Sequence, residues 1–249
     1  MLLERGRWAV STLALGKSRL NLAAMIEAAL LGGLAAMLLQ HASRGTLVFY
    51  IHPRYIPLAV VAALALVLAM LVRLRAISGP PSEPSALPYG RYLLLAVPLV
   101  LGLVVPVRPL GAEALTGTAM QAGEVVRSNP AAGDDSRSWD LLHWATAAHL
   151  RGAEVEGQEA DLVGFVYHDA TRPFAGFFVR RMVIVCCVAD GSGVGLPVVW
   201  PDGAALPADT WVRVRGPVKA VTVAGQSALA VQATSVEVVP RPANPYLYP

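Results

Sequence analysis

Apolar residues follow two different rhythms along this chain. Up to residue 110 they come in three near-continuous runs, Leu20–Leu39, Tyr55–Leu74 and Tyr92–Val107. The first two are long enough, at roughly 30 Å as helices, to match the hydrocarbon thickness of a bilayer. The third is shorter and carries Pro98 and Pro106. It reads as a kinked span whose freed backbone groups are met by neighbouring helices, with a re-entrant segment as the alternative. From residue 160 onward the pattern changes to short β-type runs separated by turn residues. Five are predicted: 161–168, 176–188, 194–200, 210–223 and 227–239. In Trp211-Val-Arg-Val-Arg the alternation is strict, which puts valine and arginine on opposite faces of a strand.

These elements predict an α+β membrane protein. Residues 1–110 form a transmembrane domain with spans at about 20–39, 55–74 and 92–107. Residues 111–135 form a linker rich in Gly, Ala and Asn, and 136–249 form an extracytoplasmic β domain. A short amphipathic helix is expected at Ser138–Leu150, with Ser138 as its N-cap. Five short strands, with Gly164 and Gly216 inside the first and fourth, suggest a small OB-like β-barrel. Two further segments are legible: residues 1–19 as an interfacial helix, and the proline-rich Ser78–Pro88 as a stiff connector. A cleavable signal peptide is not expected, since the first run starts late and is followed by more apolar runs.

Within the first run Ala24, Ala28, Gly32 and Ala36 recur every four residues, a pattern that lets another helix approach closely, in the same chain or in a partner. Glu27 lies inside that run. An acidic group there is costly, so it is either functional or neutralised by protonation or a flanking arginine.

Composition sharpens the division. Over 249 residues, 55% are hydrophobic and 15% charged, with mean hydropathy +0.53, which excludes disorder and an ordinary soluble domain. Residues 1–111 carry ten Lys/Arg against three Asp/Glu, whereas 112–249 carry ten against fourteen. The pI near 9.1 therefore reflects basic residues flanking apolar runs, and nucleic acid is not an expected partner. More basic residues precede the first run and separate the second from the third than lie between the first and second. That bias puts the N-terminus in the cytoplasm and the C-terminal half outside.

Only two cysteines occur, Cys186 and Cys187, too few for a disulfide scaffold or a four-cysteine zinc centre. On a regular strand they point to opposite faces, one inward and one outward. Three roles stay open: packing, a strained vicinal disulfide, or a soft metal site. In the last, Cys186 and Cys187 join Asp190 and His168, with Asp169 nearby, and a bulge aims both sulfurs one way. Zinc is the candidate ion for thiolate, imidazole and carboxylate ligands. His41 and His52 flank the loop between the first two runs and could extend a metal path, whereas His143 and His149 read as structural. No hydrolase or kinase motif is visible. The segment Gly191-Ser-Gly-Val-Gly lacks the lysine and helix of a phosphate loop and reads as a turn, so an enzyme is not expected.

Several stretches carry a resemblance: Leu47-Val-Phe-Tyr-Ile-His-Pro-Arg-Tyr, Val97-Pro-Leu-Val-Leu-Gly, Val163-Gly-Phe-Val-Tyr, Arg181-Met-Val-Ile-Val-Cys-Cys-Val-Ala-Asp, Trp211-Val-Arg-Val-Arg-Gly and Pro242-Ala-Asn-Pro-Tyr-Leu-Tyr. In that order they resemble the YcgQ-like permease subunits of bacteria, from about residue 20 to the C-terminus. The resemblance implies a multi-pass membrane protein with a C-terminal globular domain, a larger permease-like membrane protein as partner besides lipid, and a link to zinc limitation. Relatives commonly carry Thr where this chain has Val185. The functions in view are an accessory permease subunit, a membrane-anchored metal-binding or metal-transfer protein, and a structural assembly protein without a ligand.

Overall fold

A computed structural model describes residues 22–78, 88–115, 135–172 and 174–249. The expected interfacial helix at 1–19 lies outside these residues, as do most of the 78–88 connector and residues 116–134 of the expected linker. The described chain is α+β, with apolar helices first and a mixed seven-stranded sheet at the C-terminal end. It divides into two compact units. One comprises residues 1–40 and 60–105, and the other comprises 41–59 and 106–249.

The first unit holds three apolar helices, α1 (Leu22–Ser43), α2 (Ile56–Arg75, extending from the other unit) and α3 (Pro88–Val104). Two segments, Leu22–Ser43 and Pro53–Arg75, are long and apolar enough to cross a membrane. The third helix runs through Pro98 but stops at Val104, so it is about 25 Å long. Small residues mark where the helices meet. A Cβ on Gly32 would stand 2.7 Å from Met70 Sδ, one on Gly33 would stand 2.9 Å from Leu99 Cδ2, and Gly102 receives Met37. Of the predicted stripe, Ala24 and Ala28 are buried and Gly32 is packed, but Ala36 is exposed and Ala35 takes its place. A four-residue step overshoots one 3.6-residue turn by about 40°, so three steps rotate Ala36 off the face; eleven residues complete three turns and keep Ala35 in line. Glu27, only 6% exposed, pairs with Arg73 Nε at 3.0 Å, so the arginine neutralises it.

The second unit is built on the sheet. Its strands are β1 (Glu159–Tyr167), β2 (Gly176–Val183), β3 (Ser192–Val199), β4 (Trp211–Val223), β5 (Gln226–Gln232), β6 (Ser235–Val238) and β7 (Tyr246–Leu247). Pairings run β1-β2-β3-β5-β4, and β4 pairs back onto β1, so five strands close a ring of ladders. The predicted fifth strand is two strands, because one extra residue intervenes. Three steps along β4, from Val218 to Arg215, match four on the partner, from Val231 to Ser235, which is a β-bulge. Gly216 sits at that bend with φ +153°, and a side chain there would strike the Gln232 carbonyl.

Valines 212 and 214 enter the core, while Arg213 and Arg215 turn outward onto Asp161, at 2.6 and 3.2 Å. The helix α4 (Leu141–Arg151) packs Leu141, Leu142, Trp144 and Ala147 onto this core. Its N-cap is Asp140, whose Oδ1 accepts from the Leu142 and His143 amides at 2.9 Å each. Ser138 is not the cap, because its hydroxyl donates to the Asp135 carbonyl instead. The segment after Gly191 is strand β3 rather than a turn. Gly193 lies in it because Leu115 packs directly over its Cα.

Candidate metal centre

Strand β2 ends at Val183, although the apolar, β-branched sequence continues through Val188. The cause lies seven residues on. Asp190 Oδ1 accepts from the Val185 amide at 2.8 Å, and Oδ2 accepts from the Cys186 and Cys187 amides at 2.8 and 3.1 Å. One carboxylate thus takes three consecutive N–H groups and folds the chain into a tight loop closed by a 3₁₀ turn at Val188–Asp190. Local side-chain-to-backbone bonding overrides β propensity here.

The predicted inward and outward split of the cysteines therefore does not occur, since neither lies on a regular strand. Both are free thiols, Cys186 exposed and Cys187 half-buried, with Sγ atoms 3.7 Å apart. Cys186, Cys187 and Asp190 offer ligand atoms all within 4.8 Å of one another. Two thiolates bound at 2.3 Å to a tetrahedral zinc are separated by about 3.8 Å. A linear two-coordinate ion would hold them nearly twice the bond length apart.

The carboxylate sets the protonation of the loop. The hydrogen bond to Asp190 is the largest influence on Cys186 and, with Cys187 close by, pushes its pKa up to about 11. Partial desolvation raises the Asp190 pKa, but the Cys186 thiol and the three amides outweigh it and hold the group at about 2. Without metal, Cys186 is a neutral thiol beside a carboxylate. A dication held by these three residues would reverse that order and displace the proton.

His168 is not part of this cluster. The antiparallel register pairs Tyr167 with Phe178, so His168 stands by the start of β2, roughly 20–30 Å of strand from the cysteines. Its Nε2 meets the Leu206 carbonyl at 2.8 Å. Asp169 is bound to Thr171 and Arg172. Of the loop histidines, His41 bonds Thr46 Oγ1 at 2.8 Å.

His52 comes closer to the centre. Its amide donates to the Cys186 carbonyl at 2.9 Å, the Val188 amide donates to the Tyr50 carbonyl at 2.9 Å, and Ile51 bridges Cys187. The segment between α1 and α2 is thereby pinned to the cysteine loop. Tyr246 adds a second tie: its hydroxyl donates to the Phe49 carbonyl at 3.1 Å and accepts the Leu110 amide at 2.8 Å. Residues 112–115 of the expected linker form a 3₁₀ turn packed on the same domain. No local pattern in the sequence signals these contacts; the hydrogen bonds among them join positions more than one hundred residues apart.

Two other features stand apart from the cluster. Arg180, 2% exposed, leaves its Nε without a partner and lies over the rings of Tyr167 and Phe178 at 5.0 and 5.4 Å. Burial, and secondarily Arg172, lower its pKa to about 10. A cleft of about 230 Å³ opens between α4, β3 and β5 and is lined by His149, Arg172 and Phe178, but by none of the cluster residues.

Apolar helices followed by a β domain that carries a thiol–carboxylate cluster define the class of chain. Within that class, it carries both domains of the DUF1980 family: residues 26–121 match the DUF1980 N-terminal domain and residues 139–249 match the DUF1980 C-terminal domain. No curated protein and no solved structure matches the chain.

Proposed function

We propose that this chain is a membrane-anchored accessory subunit of a two-component permease-like assembly. In this reading its C-terminal domain binds a soft divalent cation, zinc by preference, outside the cytoplasm and gates or delivers it, without enzymatic activity. The observation that carries the metal reading is the 3.7 Å separation of two thiols beside an ordered carboxylate. Such a donor set suits zinc. The closed ring of five strands supports an OB-type barrel as the platform.

The anchoring and partnership rest on other features. Leu58, Val61, Leu64 and Leu68 of α2, and Leu94, Leu103 and Val104 of α3, are more than half exposed, an apolar surface that suits lipid or a larger membrane partner. The basic flanks of the helices favour a cytoplasmic N-terminus, and the YcgQ-like resemblance supplies the permease partner. A second reading, an anchored metal-binding protein that works without a permease, is favoured by one fact: the three ligands sit in one loop of one chain.

Zinc titration of the detergent-solubilised full-length chain tests the metal reading. Wild type should bind one ion, and Cys186→Ser and Cys187→Ser should each weaken binding by at least tenfold. Equal, weak binding in all three forms would end it. Affinity isolation from membranes, with a larger permease-like protein as the expected companion, separates the two readings.

A further inference from the structure

We propose that the Cys186–Cys187–Asp190 centre keeps its fourth coordination position open for a soft donor, thiolate or imidazole, presented by a partner protein. The centre is then an exchange site rather than a structural one, an inference that rests on the metal reading above.

Structural zinc sites close all four positions with protein ligands, whereas working sites leave one free. Among the described residues no fourth His, Cys, Asp or Glu joins the three within 4.8 Å. The obvious candidate is His52, tied through its backbone to Cys186. Its ring is engaged elsewhere. Nδ1 accepts the Arg54 amide at 3.0 Å, which uses that lone pair and places the neutral ring's proton on Nε2. Packing against Tyr248, with ring centroids 4.4 Å apart, holds it there.

Asp190 is also partly committed. Oδ2 already accepts two amides and Oδ1 one, so Oδ1 keeps a lone pair for a single bond to the metal. The protein thus supplies two sulfurs and one oxygen from a five-residue loop outside the sheet, and an ion can leave without unpairing a strand. The surroundings suit an approaching protein. Cys186 is exposed, Val185 beside it is 53% exposed, and Tyr50, from the segment pinned to this loop, is also exposed. Large apolar side chains in water beside a ligand set are a feature of docking surfaces.

Cobalt(II) is the probe, because its visible bands report coordination number and sulfur ligation in a zinc-type site. The full-length chain in detergent is loaded with one equivalent of Co²⁺ and titrated with imidazole. Tetrahedral bands with charge transfer from two thiolates should appear first, then shift saturably as imidazole replaces water in a ternary complex. His52→Ala should give the same starting spectrum and the same shift. Bands that ignore imidazole would overturn the proposal, since a donor within the chain would then fill the fourth position. A changed starting spectrum in His52→Ala would overturn it as well, by making His52 the ligand. Absence of any cobalt–thiolate bands would instead sink the underlying metal reading, an outcome distinct from both.

Discussion

At the scale of the residue, Asp190 organises the site. Its pKa of about 2 lies below the usual value of 3.8, so its ionised form is stabilised by folding. That stability is present above pH 4 and is lost as the pH falls through about 2. Cys186 behaves oppositely. Its folded pKa of about 11 exceeds the ordinary 9.0, so the stabilisation of the protonated thiol is complete below pH 9 and is lost as the pH rises through 11. The thiolate is the nucleophile, so reactivity reads this shift directly. In a Cys187→Ser chain freed of metal, alkylation of Cys186 by iodoacetamide should accelerate with a midpoint above pH 9, and in the wild-type chain stoichiometric zinc should suppress thiol alkylation. A midpoint at or below 8.5 would mean that the carboxylate does not hold the proton. The ligand types were legible in the sequence as Cys-Cys-x-Ala-Asp. That Asp190 would grip three amides and bend the chain was not, because Val185, Cys186 and Val188 carry the β propensity of a continuing strand.

Elements were read correctly where a local rule decides them and misread where a distant partner does. The apolar helices follow from the length of their apolar runs, and the alternation in β4 from its period of two. The α4 boundary did not, since two good capping residues compete and Asp140 wins once Ser138 turns to Asp135. Asp140→Ala should lower stability by about 1 kcal/mol, the usual cost of an N-cap, visible as a lower melting temperature. A matched Ser138→Ala should change it far less. The C-terminal tail shows the other case. Only the fold reveals that β7 pairs with β2 and that the Tyr246 hydroxyl joins residues 49 and 110. Tyr246→Phe keeps the buried ring but strands a donor and an acceptor. A loss of roughly 1–3 kcal/mol is expected, together with faster amide exchange in segments 46–55 and 106–115. Unchanged exchange in both segments would show that the hydroxyl does not tie them.

For the whole molecule, the division between an apolar, basic N-terminal half and an acidic β half is written in composition. What composition cannot show is that residues 41–59 and 106–115 leave the helices and fold with the β domain. This has a topological consequence. The α1–α2 connection belongs to the same unit as the cysteine loop, so both must lie on one side of any membrane that α1 and α2 cross. The basic residues Arg73 and Arg75 fall at the opposite end of α2 from that connection, and the preference of such residues for the cytoplasm supports the proposed orientation, with the cysteine loop outside. Cys186 is exposed, so in intact cells stripped of external metal by an impermeant chelator and held at alkaline pH, a membrane-impermeant maleimide should label it without denaturant, and a Cys186→Ser, Cys187→Ser double variant should stay unlabelled. Labelling that requires lysis would reverse the orientation. The site would then face cytoplasmic metal pools, and any delivery role would have to run from the inside.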